Sequence, residues 1–348
     1  MKFSNILIYW YLQNKRDLPW RKTKNAYYIW LSEIILQQTR VNQGLDYYKT
    51  FTTTFPTVFD LAKAQEESVL KLWQGLGYYS RARNLHYSAK YIVNELSGKF
   101  PETYLDLLKL KGVGDYTASA IASISYNEST AVVDGNVYRV LSRYFGISTP
   151  INTSKAIKEF KHLAQQLIDK KDPGTFNQAV MEFGAVQCKP RNPDCTVCPL
   201  KSGCVASQKR IVHTLPSKLK KITIKKRYFN YLIITGKHNK TKIQKRKEKG
   251  IWQNLYEFPL IETPNEIFIK ELLDNKDFHQ IIKGETNTIS LFNKTQIVHK
   301  LTHQHLYTKF WIISTDQEIA DGISWNDFDK FPIPILLHNF VENFKTNA

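Results

Sequence analysis

Leu110-Lys111-Gly112-Val113-Gly114-Asp115-Tyr116-Thr117-Ala118 sets two glycines between two helical segments. Glycines there let the backbone pass close to a phosphate, and the free N–H groups of the next helix start can bind it. Taken alone, the stretch reads equally well as an ordinary corner between helices. The text around it decides for helices. Apolar residues recur at spacings of three and four, as in Leu31, Ile34 and Ile35, and breakers fall at helix-length intervals from Pro56 to Gly174. Thr57 and Pro101-Glu102 read as helix starts. Residues 1–187 are therefore expected to be all-α.

Working outward, the next feature is Ala131-Val132-Val133-Asp134-Gly135-Asn136-Val137, followed by a helix over Tyr138–Phe145. Asp-Gly at that place is a turn with a helix cap on its plainest reading. Glu33, in Trp30-Leu31-Ser32-Glu33-Ile34-Ile35-Leu36-Gln37-Gln38-Thr39, is either an exposed-face glutamate or a carboxyl held in a closed pocket. In the second case desolvation would keep it protonated. Two carboxyls in unlike environments are what cleavage of a glycosidic bond needs.

All four cysteines of the 348-residue chain, Cys188, Cys195, Cys198 and Cys204, fall within 17 residues, spaced C-x6-C-x2-C-x5-C. Thiolates so close need a cation, so metal ligation is the reading; spacing alone leaves zinc and iron–sulfur open. Lys189, Arg191 and Lys201 make the loop basic, as suits a segment that contacts phosphates.

After the cysteines the texture changes. Residues 205–226 are a basic, proline-containing linker. Then come β-like runs at Tyr228–Thr235, Ile251–Phe258 and Leu306–Ser314, a basic hairpin-like loop at Lys237–Gly250, and a closing helix over Pro332–Phe344. Residues 227–348 thus read as an α+β domain. The formal net charge is +18, and +14 of it lies between Lys209 and Lys249, where 15 basic residues face one acid. Counterion release from a phosphate backbone is the natural use of such a belt. No run of 18 apolar residues occurs, so no transmembrane helix and no membrane partner are expected. The opening MKFSNILIYWYLQN reads as an amphipathic helix rather than a signal peptide, and a cytoplasmic, nucleoid-associated monomer follows as the expectation.

Together, the glycine hairpin, VDGNV and cysteines spaced 6-2-5 resemble the helix-hairpin-helix base-excision glycosylases, of which endonuclease III is the familiar member. Within them, SEIILQQTRV and GLGYYSRARNLH resemble the MutY branch, the adenine DNA glycosylases. Where endonuclease III carries its Schiff-base lysine this chain has Tyr116, so a concerted lyase step has no amine. The C-terminal domain resembles the MutT-like fold through GIWQNLYEFP, yet ETPNEIFIKELLDN lacks the R-E-x-x-E-E of a pyrophosphohydrolase.

The resemblance implies a monofunctional enzyme with a 4Fe–4S cluster on the four cysteines, acting on double-stranded DNA in which adenine faces 8-oxoguanine or guanine. It implies a protonated Glu33 as general acid, an ionised Asp134 stabilising the oxocarbenium, and Tyr116 and Asn136 positioning them. Gly112 and Gly114 would hold phosphates. Gln38, Leu76 and Tyr78 would fill or buttress the gap beside the orphan base, and Arg21 and Gln178 would line the adenine pocket. His299-Lys300-Leu301-Thr302-His303 corresponds to the family's His-x-Phe-Ser-His reader of oxidised guanine, with leucine and threonine substituted; His299, Thr302 and His303 keep hydrogen-bonding capacity. Two rival readings are a pyrimidine-lesion glycosylase/lyase and a non-catalytic mispair-binding or redox-sensing iron–sulfur protein.

Overall fold

Local chemistry starts the helices of the N-terminal half. In the computed structural model, Asn25, Thr57, Thr103, Asp134, Thr153 and Asp172 each accept a backbone N–H with the side chain and so open a helix. Asn127 and Gly146 close two of them in the left-handed conformation. The structure describes residues 2–219, 224–282, 286–293, 295–319 and 321–347. Its contacts divide it into two units: Met1–Ala64 with Asn84–Lys220, and Gln65–Arg83 with Lys221–Ala348.

In the first unit, the helix Asp115–Tyr126 is buried from Thr117 to Ile124. Alanines and serines fill that stretch, which lets neighbouring helices approach it closely. Ala26–Leu36 and Pro173–Val186 both pack on it, and Pro173–Val186 also packs on Phe3–Asn14 and Gly135–Phe145. The opening residues form the helix Phe3–Asn14, which buries Phe3, Leu7, Trp10 and Tyr11. One helix start differs from the sequence reading. The helix expected at Pro101-Glu102 begins at Tyr104, because the Thr103 side chain takes the Asp106 N–H. Residues 205–219 of the basic linker lie against this unit: Arg143 Nε donates to the Val212 and Leu215 carbonyls, and Leu219 and Asn152 exchange hydrogen bonds. Residues 220–223 of that linker lie outside the described residues.

The second unit is built on a mixed sheet. Lys225–Gly236 and Gln304–Ser314 pair in parallel at its centre, with Tyr228 opposite Tyr307. Leu260–Thr263 and Lys240–Thr241 pair with the first, Thr288–Leu291 and Ile297–Lys300 with the second, and Ile323–Ser324 with Lys240–Thr241. The closing helix, Ile335–Asn347, covers it through Phe340 and Phe344, which stack on Phe310 and Trp325. The strand expected over Ile251–Phe258 shrinks to Tyr256–Glu257. Trp252 and Asn254 hold φ of 60° and 66°, and left-handed residues two apart turn the chain instead of extending it. Gln65–Arg83, although helical in texture, packs within this unit: Glu67 accepts from Lys245 and Tyr256, and Arg83 donates to the Gln253 carbonyl. No helix among the described residues is long and apolar enough to cross a membrane.

Candidate active site and cysteine loop

Glu33 sits on a helix whose residues are buried almost without break from Ala26 to Ile35, and it is only 9% exposed. The exposed-face alternative is therefore excluded. Burial pushes its carboxyl up to about 7; the Tyr116 hydroxyl, in hydrogen-bonding reach, opposes this and the Asp134 charge adds to it. Tyr116 stands in the first turn of Asp115–Tyr126. Its hydroxyl is part-buried, lies 3.2 Å from Met181 Sδ, and is held well above the usual tyrosine range by burial and then by the Glu33 and Asp134 charges.

Asp134 is a helix cap that also lies close enough to Glu33 and Tyr116 for its charge to act on both. It opens the helix Gly135–Phe145 and accepts from the backbone N–H of Asn136 at 2.9 Å, that of Val137 at 2.8 Å, and the Asn136 side-chain amide at 2.7 Å. Burial pushes its carboxyl up, while these donors and Arg139 act to keep it charged. Asn136 is itself held: Arg139 Nη2 donates to its Oδ1 at 2.9 Å, and Arg139 also donates to the Gly184 and Cys188 carbonyls. At Gly184 a Cβ would meet Asn136 Cβ at 2.6 Å, so only glycine lets Pro173–Val186 approach that closely. Glu33, Tyr116, Asp134 and Asn136 thus form one cluster.

Gln178 and Arg21 stand in a neighbouring network. The Tyr11 hydroxyl donates to Gln178 Oε1 at 2.5 Å, and the Arg21 guanidinium lies over the Tyr11 ring. Arg21 spends its fork on Glu182, at 2.9 and 2.6 Å, beside Arg16 at 2.8 and 2.6 Å. Burial acts to raise the Glu182 carboxyl, but the hydrogen bonds from both arginines hold it down to about 2. Gln38 is exposed, just past the Glu33 helix, with φ 56°. A non-glycine residue in that conformation marks a position worth functional attention. At the hairpin, Gly112 has φ 84° and a Cβ there would meet Asn84 at 2.8 Å, whereas Gly114 is extended and open.

The four cysteines line one cavity at the side of Gly135–Phe145, with Val140, Arg143 and Leu200. All four are free thiols. Burial, then the neighbouring thiols, push Cys195 up; burial pushes Cys198 to about 11 and raises Cys204. Arg143 supplies compensation, donating to Cys188 Sγ at 3.4 Å and to the Lys189 and Pro190 carbonyls. Four cysteines lining one cavity, with an arginine at its wall, fit a thiolate-bound metal group.

Residues 31–166 match the HhH-GPD superfamily of base excision DNA repair proteins, and residues 230–343 match the NUDIX domain. The adenine DNA glycosylase of Buchnera aphidicola subsp. Acyrthosiphon pisum is 37% identical over 352 residues, covering 99% of this chain and 98% of that protein. The chain belongs to the adenine DNA glycosylase family. The human adenine DNA glycosylase is 47% identical over 216 residues, which cover 60% of this chain and 40% of that one. Among solved structures, a thermostable thymine-DNA glycosylase superposes with TM-score 0.56 at 30% identity, over 60% of this chain and 95% of that one. An endonuclease III–DNA complex, at TM-score 0.52 and 22% identity over 60% and 94%, shares the fold.

In this adenine DNA glycosylase family member the second unit holds the remaining candidates. Leu76, Tyr78, Trp252, Leu301, Thr302 and His303 line one open cavity of about 410 Å³. Leu76 is buried, while Tyr78 is 49% exposed with φ 48°. The Tyr78 and Thr302 hydroxyls are 2.6 Å apart. His299 is half-buried against the Trp252 ring, and burial pulls its imidazole below the usual histidine range.

Sequence reasoning missed Tyr11, Arg139, Met181, Glu182 and Gly184. Arg139 and Glu182 carried a signal: each lies one helical turn from a chosen residue, three beyond Asn136 and four beyond Gln178.

Proposed function

We propose that this glycosylase of base excision repair hydrolyses the N-glycosidic bond of adenine placed opposite 8-oxoguanine or guanine in double-stranded DNA, without a lyase step. The observation that carries the reading is the pairing of two unlike carboxyls: Glu33, buried and raised to about 7, and Asp134, ringed by N–H donors. The first is built to hold a proton near neutral pH and the second to hold a negative charge.

The duplex would be gripped through phosphates by the Gly112–Gly114 hairpin and the basic belt, and the adenine rotated out of the stack. Adenine departs poorly as an anion, so Glu33 delivers a proton to N7 as the bond breaks. Positive charge then develops on the sugar, and Asp134 stabilises it, after which water completes hydrolysis. Asn136 fixes the Asp134 carboxylate through two donors, and Tyr116 holds the Glu33 carboxyl. Gln38, Leu76 and Tyr78 would fill the gap beside the orphan base, with Gln178 and Arg21 at the adenine pocket. His299, Thr302 and His303 would read the opposing base; Leu301 removes the ring the family carries there. Cys188, Cys195, Cys198 and Cys204 would hold a 4Fe–4S cluster, which when bound cross-links four points of the basic loop. The protein would act as a monomer in the cytoplasm, on the nucleoid.

The test is single-turnover excision by Glu33→Gln and Asp134→Asn. Each is expected to lose about 10²- to 10⁴-fold while still binding the mispaired duplex. Near-normal rates in either variant would refute the assignment. Cleavage of an oxidised-pyrimidine strand by the wild type would favour the glycosylase/lyase reading instead.

A further inference from the structure

Only two methionines occur in the chain, Met1 and Met181, and Met181 stands against the candidate acid's partner. Tyr116 has one hydroxyl proton and two claimants for it. One is Met181 Sδ, 3.2 Å away on the helix Pro173–Val186; the other is the Glu33 carboxyl on Ala26–Leu36. A charged carboxylate is much the stronger acceptor, and a thioether a weak one. The proton's direction therefore depends on the state of Glu33. With Glu33 ionised, Tyr116 donates to it. With Glu33 protonated, its hydroxyl can donate to the phenol oxygen, and that bond is favoured when the phenol's own hydrogen has another acceptor.

We propose that Met181 is a positioning residue: by accepting the Tyr116 hydrogen at Sδ, it leaves the phenol oxygen free to receive the hydrogen bond of a protonated Glu33. The inference deepens the proposed reading of Glu33 as general acid and rests on it. The chain Glu33–Tyr116–Met181 then runs in one direction for the acid form, where a sulfur-free neighbour would deprive the part-buried hydroxyl hydrogen of that acceptor. Among the described residues, the titratable groups acting on Glu33 are Tyr116, from Asp115–Tyr126, and Asp134, at the start of Gly135–Phe145. The segments Pro19–Arg21 and Val41–Thr54, which also pack near its helix, bring none to it. Met181 carries no charge, so its effect must come through Tyr116.

Removing the sulfur takes away the acceptor that favours the bond from protonated Glu33 to the phenol oxygen, so Glu33 should give up its proton at lower pH. The experiment is a pH–rate profile of single-turnover adenine excision for the cluster-containing wild type, Met181→Leu, and protein grown on selenomethionine, which substitutes Met181 and the initiator alone. Leucine conserves volume and so leaves the packing largely intact. The falling alkaline limb of Met181→Leu should lie about 0.5 to 1 pH unit below that of the wild type. The selenium protein should keep the wild-type midpoint, since selenium remains an acceptor. In a Tyr116→Phe background, Met181→Leu should no longer move the midpoint.

An unmoved midpoint in Met181→Leu, with rates scaled equally at every pH, would reduce Met181 to packing and overturn the proposal alone. A wild type that excises adenine with no alkaline limb would overturn Glu33 as the acid, and this proposal with it.

Discussion

The hydroxyls of Tyr78 and Thr302 lie 2.6 Å apart and join residues separated by 224 positions of sequence. Tyr78 follows the GLG turn, and Thr302 lies in the segment His299–His303 that the proposed function makes the reader of the opposing base. On the proposed function this contact sets the loop that meets the opposing base. Tyr78→Phe and Thr302→Val should each lower the preference for 8-oxoguanine over guanine by about 3- to 10-fold. Excision opposite guanine should change little. Leu301→Phe should raise the preference, and competition between the two duplexes in one reaction reads all three.

Gly184→Ala tests the close approach of two helices. In an ordinary helix the change would stabilise slightly. Here the new methyl would meet Asn136 Cβ at 2.6 Å and its carbonyl oxygen at 2.9 Å. We expect a loss of about 1–3 kcal/mol of stability and a fall in excision of at least tenfold, because Asn136 would move and take the Asp134 carboxylate with it. Thermal unfolding and single-turnover rates measure the two effects separately.

Glu182 is the buried end of an ion-pair network with Arg16 and Arg21. Glu182→Gln would leave two guanidiniums facing a neutral amide. With Glu182 buried and Arg21 only 11% exposed, a loss of about 3 kcal/mol is expected, discounted somewhat for the 39% exposure of Arg16. The acid limb of stability follows from the same group. Its folded carboxyl titrates near 2 against 4.5 in the unfolded chain, so its contribution is complete above about 4.5 and is lost as pH falls toward 2. Denaturant melts of wild type and Glu182→Gln should converge as pH is lowered through that window.

What could be read from sequence was set by how local the determinants are. Asp134 was legible because a cap and its helix are neighbours in the chain, and Thr57 for the same reason. The four cysteines were legible by crowding alone. Pro101 misled because Thr103, two residues later, had the better geometry for a cap. The run Ile251–Phe258 misled because its aromatic and branched residues suit a strand, while Trp252 and Asn254 take up left-handed backbone that composition does not report. Tyr11, Met181 and Gly184 could not be read at all. Their roles are made by Gln178, Tyr116 and Asn136, which come from other helices, and no local pattern encodes such pairings.

Glu33 has an opposite pH signature. Burial raises it to about 7 from 4.5, so the folded state holds a proton that the unfolded chain releases. Its contribution to stability is present below about 4.5 and fades as pH rises through 7. Excision should fall over the same upper range, as the acid loses its proton, and the limb should be absent in Glu33→Gln.

The most direct test of the central claim is single-turnover incubation of the cluster-containing protein with a duplex bearing one adenine opposite 8-oxoguanine. Adenine opposite guanine and opposite thymine would run beside it, with alkali to cut any abasic site. The account predicts alkali-dependent cleavage at adenine, fastest opposite 8-oxoguanine, slower opposite guanine and absent opposite thymine. No cleavage at adenine opposite either purine, or strand scission without alkali at a rate matching base release, would contradict it.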